Sequence, residues 1–258
     1  MVPKKPVHNL DISAPLAVAP MLYYLSRLYF TRDLNQMRQA VACAIVIYAV
    51  KYVAEKKILP FMVIILIASS FHTVALAMVI VYPLINWWGF KSGKITIKFL
   101  IGVLICALLS KVIVNPVTNF FVNSPSYSMY VSEAEKFVSQ GFTNPVLIIE
   151  ISISFLLAMM NDWGIFKEND ELRAQTKVYI IGSLFLLLMC NLLTIAGRTS
   201  SMLTTFEGVM VVLIVQQFIP TKTLRYFIFM GIAVGVFYFI VIQTGVYKDC
   251  SPYMTVFR

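Results

Sequence analysis

The sequence predicts an all-α fold, a polytopic integral membrane bundle of about seven to nine membrane segments, and three observations favour this class. Of the 258 residues, 59% are hydrophobic and only 13% are charged, whereas about a quarter of a soluble domain is charged. The apolar residues form long continuous blocks instead of the alternating pattern of a β-barrel. The basic residues lie mostly in short loops between these blocks, as they do in inserted helical proteins.

The charge and the cysteines exclude several functional classes. A net charge of +9 suggests nucleic-acid binding in a soluble protein, but in short loops it is the signature of cytoplasmic flanks, so we expect no nucleic-acid partner. Three cysteines, Cys43, Cys106 and Cys190, lie in apolar blocks and Cys250 lies near the end. No CxxC or Cys/His spacing is present, and we therefore expect no metal site. The first residues show no convincing signal-peptide cleavage site.

Each membrane-spanning helix needs roughly 20 apolar residues. Blocks near this length are 39–54, 95–114, 145–160, 178–197, 205–219 and 224–246. A weaker candidate, 12–30, is interrupted by two prolines and carries Arg27. These blocks divide the chain into an N-terminal segment, 1–33, with at most one weak span, and a membrane domain, 34–258.

The block 58–88 is too long for one span and too short for two. Its 31 residues would form a helix of about 46 Å, against a hydrocarbon core of about 30 Å, whereas two spans need about 40 residues. Two short helices meeting at "SSFHT" fit this length, with Pro60 and Pro83 near the ends, where helices tolerate proline. The lysines that flank the block are Lys51, Lys56, Lys57, Lys91, Lys94 and Lys98. They predict a short-helix hairpin that enters from the cytoplasm and turns at His72, towards the outer face.

Three polar residues then share the outer face. With the hairpin oriented in this way, the outer loop is 115–144, and Arg38, His72 and Arg198 each lie at the outer end of an apolar segment. Positive charge on that side contradicts the insertion rule. An anionic ligand such as a diphosphate would account for it, because arginine pairs with phosphate in a bidentate geometry.

Each of these residues also has a structural interpretation. An outer arginine often anchors a helix at the interface or pairs with an acid, as Arg198 would with Glu207. A lone membrane histidine is often a helix–helix contact. Glu150 is neutral or paired with Lys111. Aromatic residues in an outer loop, here Tyr127 and Tyr130, are either interface anchors or platforms for sugars.

The order of these features resembles a known family. In "LNQMRQAVACAIVIYAVKYVAEKKILPFMVIILIASSFHTVALAMVIVYPL", residues 34–84, Arg38-Gln39 open a helix and Phe71-His72 end the segment after a basic turn. "TIAGRTSSMLTTFEGVMVVLI" supplies Arg198 before a further apolar helix. This pattern resembles the EpsG family of bacterial exopolysaccharide polymerases, which are grouped with Wzy-type O-antigen and capsule polymerases. Family members usually have several earlier spans and a Gly-x-Asp-Tyr-like outer segment, so we expect this chain to be a naturally short member, an inactive fragment, or the product of a misplaced start.

The resemblance implies a polymerase that joins undecaprenyl-diphosphate-linked oligosaccharides at the outer face of the bacterial cytoplasmic (inner) membrane. In that interpretation Arg38 and Arg198 stabilise the departing diphosphate, and His72 either accepts the proton of the attacking sugar hydroxyl or binds phosphate as an imidazolium. The residues expected to contact substrate are Gln39, Ser69, Ser70, Thr73, Tyr127, Tyr130 and Glu150. No cofactor is expected. The expected partners are the lipid-linked oligosaccharide, membrane lipid and other polysaccharide-assembly proteins.

Two other functional classes fit the same residues. A flippase or transporter for a lipid-linked sugar would line a path across the bilayer with its ionisable residues. A membrane acyltransferase that modifies polysaccharide would also use a membrane histidine.

Overall fold

The computed structural model describes residues 14–33, 36–87, 94–122 and 141–243, and every regular element in these ranges is helical. The α-helices are α1 (Ala14–Tyr24), α2 (Met37–Ala54), α3 (Ile58–Phe71), α4 (Val81–Asn86), α5 (Ile95–Leu109), α6 (Val114–Val122), α7 (Pro145–Asp162), α8 (Asp170–Leu188), α9 (Leu193–Leu203), α10 (Glu207–Phe218) and α11 (Lys222–Phe237). Two π-helices, Leu25–Asp33 and Tyr238–Gln243, and two 3-10 helices, Thr73–Ile80 and Gly141–Thr143, complete them.

Three helices of the described ranges are long and apolar enough to cross a membrane: Met37–Ala54, Pro145–Asp162 and Lys222–Gln243. A fourth span is formed if Ile195–Leu203 and Glu207–Phe218 act as one broken segment. Three further apolar helices, Ile58–Phe71, Thr73–Asn86 and Ile95–Leu109, are shorter. The α-helical membrane class is therefore confirmed, and the number of seven to nine segments stays a prediction.

The chain forms two compact units. One, here called the N/C unit, contains His8–Val41 and Glu207–Arg258; the other, the central unit, contains Ala42–Phe206. Among the described residues, the N/C unit holds α1, the first turn of α2, α10 and α11. The central unit holds the rest of α2 and α3 to α9. The boundary predicted at residue 33 stays a prediction.

In the N/C unit, α1 continues directly into the π-helix Leu25–Asp33 and packs against α10. The two helices approach closely at Gly208, where an added Cβ would lie 2.9 Å from the carbonyl oxygen of Pro20. Tyr23 is fully buried, and its ring lies 6.4 Å from that of Phe229 on α11. A small residue on α10 and an aromatic residue on α1 therefore set this packing.

In the central unit, residues 58–87 of the block 58–88 form the predicted hairpin. Its helix α3 ends at His72, which is extended (φ −152°, ψ 114°), and the 3-10 helix begins at Thr73. The two arms fold back on each other, since the rings of Phe61 and Tyr82, in opposite arms, are 5.3 Å apart. His72 lies at the midpoint between these two rings along the chain and is therefore the tip of the hairpin.

Side chains that cap neighbouring helices define two faces of the central unit. Asn86 donates to the Val53 carbonyl (3.2 Å), and Asp162 accepts the amides of Ile95 (2.7 Å) and Thr96 (3.0 Å). We call this end, with Lys56, Lys98 and Lys177, the basic face. At the opposite face, Asn191 donates to the Ser110 carbonyl (3.1 Å). Because the 14 residues of α3 rise about 21 Å, the hairpin tip lies towards the opposite face.

The predicted span 178–197 is wrong, because α8 ends at Leu188 and α9 returns along it. An added Cβ on Gly182 would lie 2.6 Å from Cβ of Leu203, and Ala196 packs in one cluster with Leu187. Asn191 lies in the turn between α8 and α9, and its side-chain amide donates to the carbonyl of Ser110. This hydrogen bond fixes the position of the break. Arg198 consequently lies on the returning helix instead of following a span.

Candidate active site

His72 is the cap residue of both hairpin arms. Its amide donates to the Ala68 carbonyl (3.1 Å) and its carbonyl accepts from the Ala75 amide (3.0 Å). The half-buried imidazole is thereby held at the C-terminal end of α3, where unsatisfied carbonyls concentrate partial negative charge.

The hydroxyl residues beside His72 are used differently. Ser69 and Ser70 donate to the carbonyls of Leu66 (2.8 Å) and Ile67 (2.7 Å) in the last turn of α3. Thr73, the first residue of the 3-10 helix, is exposed. The serines thus donate to carbonyls of their own helix, while their oxygen atoms retain the capacity to accept a hydrogen bond.

Arg198 lies on α9, which packs against the 3-10 helix that follows His72. It is half-buried, and its carbonyl accepts a hydrogen bond from Ser201 Oγ (3.0 Å). The structure therefore brings the helix carrying Arg198 into contact with the second hairpin arm. Two of the three predicted catalytic residues, His72 and Arg198, therefore belong to parts of the chain that pack against each other.

Glu150 on α7 is buried, with 3% of its surface exposed. Its carboxyl oxygens accept from Ser200 Oγ (2.9 Å) and Thr204 Oγ1 (3.3 Å), which are one turn apart on α9. Arg198 precedes Ser200 by two residues and so lies about 200° around the helix from it. Glu150 therefore holds one side of α9, and Arg198 occupies the other.

Arg38 and Gln39 open α2, as the sequence predicts, and both belong to the N/C unit. Arg38 is exposed, whereas Gln39 is buried. Tyr127 and Tyr130 lie outside the described residues.

The sequence model of the EpsG family matches residues 8–255, nearly the whole chain. The chain belongs to the EpsG family. The predicted resemblance, which was based on the segment 34–84 and on the segment around Arg198, is confirmed over nearly the whole chain. Together with the apolar helices, it places this EpsG-family protein among the membrane proteins of polysaccharide biosynthesis. Neither the curated proteins nor the solved structures gave a match.

The EpsG-family chain also contains a buried ionic cluster that the sequence did not predict. Glu207 on α10 accepts a hydrogen bond from the Tyr23 hydroxyl (2.5 Å) and pairs with Nε of Arg27 (3.3 Å). The sequence interpretation gave Glu207 as a partner for Arg198. The sequence does contain a signal for this cluster: Arg27 and Glu207 each interrupt an apolar block, and a buried charge needs a partner of opposite charge. Their spacing along the chain does not identify which residues pair.

No group of three or more His, Cys, Asp or Glu side chains within the described ranges is arranged to hold a metal ion. Among the described residues, Cys43, Cys106 and Cys190 form no disulfide bond, and Cys43 lies against Met202, with 3.3 Å between the sulfur atoms. That contact packs α2 of this EpsG-family protein against α9 within the central unit.

Proposed function

We propose that this EpsG-family protein is an exopolysaccharide polymerase of the bacterial cytoplasmic membrane. It transfers a growing glycan from its lipid diphosphate to a sugar hydroxyl of another lipid-linked unit. Besides family membership, the observation that carries the proposal is the contact between the second arm of the His72 hairpin and the helix bearing Arg198. A proton acceptor and a cation are the two groups that this transfer needs.

The reaction breaks the bond between the anomeric carbon and the diphosphate oxygen, which leaves with the bonding electron pair. A hydroxyl oxygen of the second unit forms the new glycosidic bond. His72 accepts the hydroxyl proton, and the guanidinium of Arg198 stabilises the departing diphosphate through paired hydrogen bonds. Arg38, exposed at the start of α2, is the second proposed cation.

The other residues predicted to contact substrate have different roles in this proposal. Gln39, Ser69, Ser70 and Thr73 are proposed to hydrogen-bond the sugar or phosphate, and Tyr127 and Tyr130 to stack against sugars from the outer loop. Glu150 is proposed to support α9, because both its oxygens accept hydrogen bonds from that helix. Other polysaccharide-assembly proteins are proposed partners.

Elongation of lipid-linked oligosaccharide by the purified, reconstituted protein tests the proposal. His72→Ala is expected to slow elongation at least roughly 100-fold, as loss of a general base does. Arg198→Lys keeps the charge but loses the paired geometry and is expected to slow it about as strongly. Lys222→Gln, an exposed cation, and Ser152→Ala, an exposed hydroxyl, are matched controls expected to retain activity.

Elongation by His72→Ala at nearly the wild-type rate would remove His72 from the chemistry. Acyl transfer to polysaccharide with unchanged polymer length would instead assign the protein to the acyltransferases. Movement of the lipid-linked unit across liposomes without elongation would assign it to the flippases.

A further inference from the structure

A buried lysine lies at the centre of the basic face. Lys177, about two turns into α8, has only 8% of its surface exposed. It interacts electrostatically with Arg173, Lys98, Asp170 and Lys56, which come from three different parts of the central unit. Burial first, and then the cations Arg173, Lys98 and Lys56, lower the pKa of Lys177 to about 8, whereas Asp170 acts in the opposite direction. An ammonium group in this position lacks the compensation that buried charges ordinarily have.

The neighbouring acids are already engaged. Asp170 pairs with Arg173, and both oxygens of Asp162 accept backbone amides. Glu55 pairs with Lys57 (2.9 Å), whose hydrogen bond lowers the pKa of Glu55 below its usual value. Within the described ranges, Lys177 forms no ion pair with a carboxylate. Excess positive charge therefore persists around it.

Lys56 provides an independent observation. Its backbone is left-handed (φ 58°), in the turn where the Lys57 amide donates to the Tyr52 carbonyl (2.9 Å). Glycine is the preferred residue at this position of a helix C-terminus, because a side chain is strained there. The chain therefore carries a charged side chain at a conformational cost, and function is a common reason for such strain.

We propose that Lys56, Lys98 and Lys177 bind the phosphate of an anionic phospholipid headgroup at the basic face. The preference of cytoplasmic loops for lysine explains exposed charges but not a lysine that is buried among other cations. Basic pockets between membrane helices at that side are typical headgroup sites. The site is separate from the proposed active site, because the hairpin tip lies towards the opposite face.

The surface next to Lys98 favours a lipid over a free phosphate. The same helix, α5, exposes a continuous apolar surface that begins beside Lys98 and runs towards the opposite face. It comprises Ile97, Leu100, Ile101, Leu104, Ile105 and Leu108. An acyl chain of a lipid whose phosphate contacts Lys98 would lie along this surface, and a soluble phosphate compound would leave it unused.

Binding of phosphatidylglycerol to the full-length protein in neutral detergent tests the site, with phosphatidylcholine of the same acyl chains as the reference. Phosphatidylglycerol is expected to raise the midpoint of thermal unfolding by several degrees more than phosphatidylcholine. Lys98→Gln and Lys177→Gln are each expected to weaken its binding about fivefold, the effect of one cation near a lipid surface. Lys111→Gln, an exposed lysine beside Ser110 at the opposite face, is the matched control expected to bind normally.

Lys56→Gly separates ligand binding from stability. It is expected to raise the unfolding midpoint without lipid, because it removes the left-handed strain, and to reduce the shift caused by phosphatidylglycerol. Equal phosphatidylglycerol affinity of wild type, Lys98→Gln and Lys177→Gln would overturn the proposal. So would millimolar inorganic phosphate that produced the full Lys177-dependent shift in phosphatidylcholine alone, since the ligand would then be a soluble phosphate.

Discussion

At the scale of single residues, His72 shows that a helix can break inside an apolar block with no proline or glycine at the break itself. Its own amide and carbonyl close the two arms, and Ser69 and Ser70 donate back to the carbonyls of Leu66 and Ile67 in the same helix. The backbone hydrogen bonds of His72 therefore maintain the tip. For this reason, loss of activity in His72→Ala is expected with little loss of stability.

Glu150→Gln tests whether this carboxyl supports α9 or contacts substrate. The amide of glutamine can accept from Ser200 and donate to Thr204 Oγ1, which then donates to the Ser200 carbonyl, 3.1 Å away. Activity and thermal stability are therefore expected to stay close to wild type. Glu150→Ala leaves a cavity and removes the acceptor of the buried Ser200 hydroxyl, so it is expected to cost about 2–4 kcal/mol of unfolding free energy. An inactive but fully stable Glu150→Gln would instead indicate a direct role for the negative charge.

Arg27→Met tests the buried ion pair of the N/C unit. It leaves Glu207 in a buried position without its guanidinium partner and is expected to cost about 3–5 kcal/mol of unfolding free energy. The double variant Arg27→Met/Glu207→Leu removes both charges and is expected to recover most of this loss, because apolar pairs replace buried ion pairs well. Thermal unfolding in detergent measures both variants. A double variant less stable than Arg27→Met would contradict the pairing.

At the scale of elements, the packing of α9 against α8 depends on Gly182. Alanine there would bring Cβ within 2.6 Å of Leu203 and 2.8 Å of Thr204. Gly182→Ala is expected to cost about 1–3 kcal/mol through overpacking, and to slow elongation because it displaces the helix that carries Arg198. The unfolding midpoint and the elongation rate are the two measurements.

Gly197→Ala is the matched control for Gly182→Ala, since nothing lies within 4 Å of the Cβ it would add to α9. It is expected to be neutral or slightly stabilising, because alanine is the better helix former. Equal losses in the two variants would show that the close approach of α8 to α9 at Gly182 is not the cause of the lost stability.

The elements differ in how well the sequence predicts them. The hairpin could be predicted, because its length and its flanking lysines exclude one span and two spans alike. The break between α8 and α9 could not, because the amide of Asn191 is bound by Ser110, which is 81 residues away. Apolar content predicts a helix, but only long-range contacts determine where it ends.

At the scale of the whole molecule, composition alone predicts the membrane class, and the paired motifs at 38–39 and 71–72 predict the family. The sequence does not reveal that residues 8–41 and 207–258 form one compact unit. It also does not reveal which acid compensates Arg27 or that Lys177 is buried. These features depend on contacts between distant segments, whereas periodicity and local charge report only on each segment itself.

Orientation in the membrane is the prediction that concerns the whole chain. Lys111 and Lys167 are exposed and lie near the opposite face and the basic face of the central unit, respectively. In a chain whose four native cysteines are replaced, Lys111→Cys is expected to react with a membrane-impermeant maleimide in intact spheroplasts. Lys167→Cys is expected to react only after permeabilisation, because basic flanks stay in the cytoplasm.

Complete labelling of both variants in detergent is the control for reactivity. The reverse pattern in spheroplasts would place the tip of the His72 hairpin on the cytoplasmic side, where it would not meet a lipid-linked glycan at the outer face. It would also move the proposed headgroup site to the outer leaflet. The elongation assay and the lipid-binding assay do not depend on orientation, so this measurement tests the sidedness of both sites separately from their chemistry.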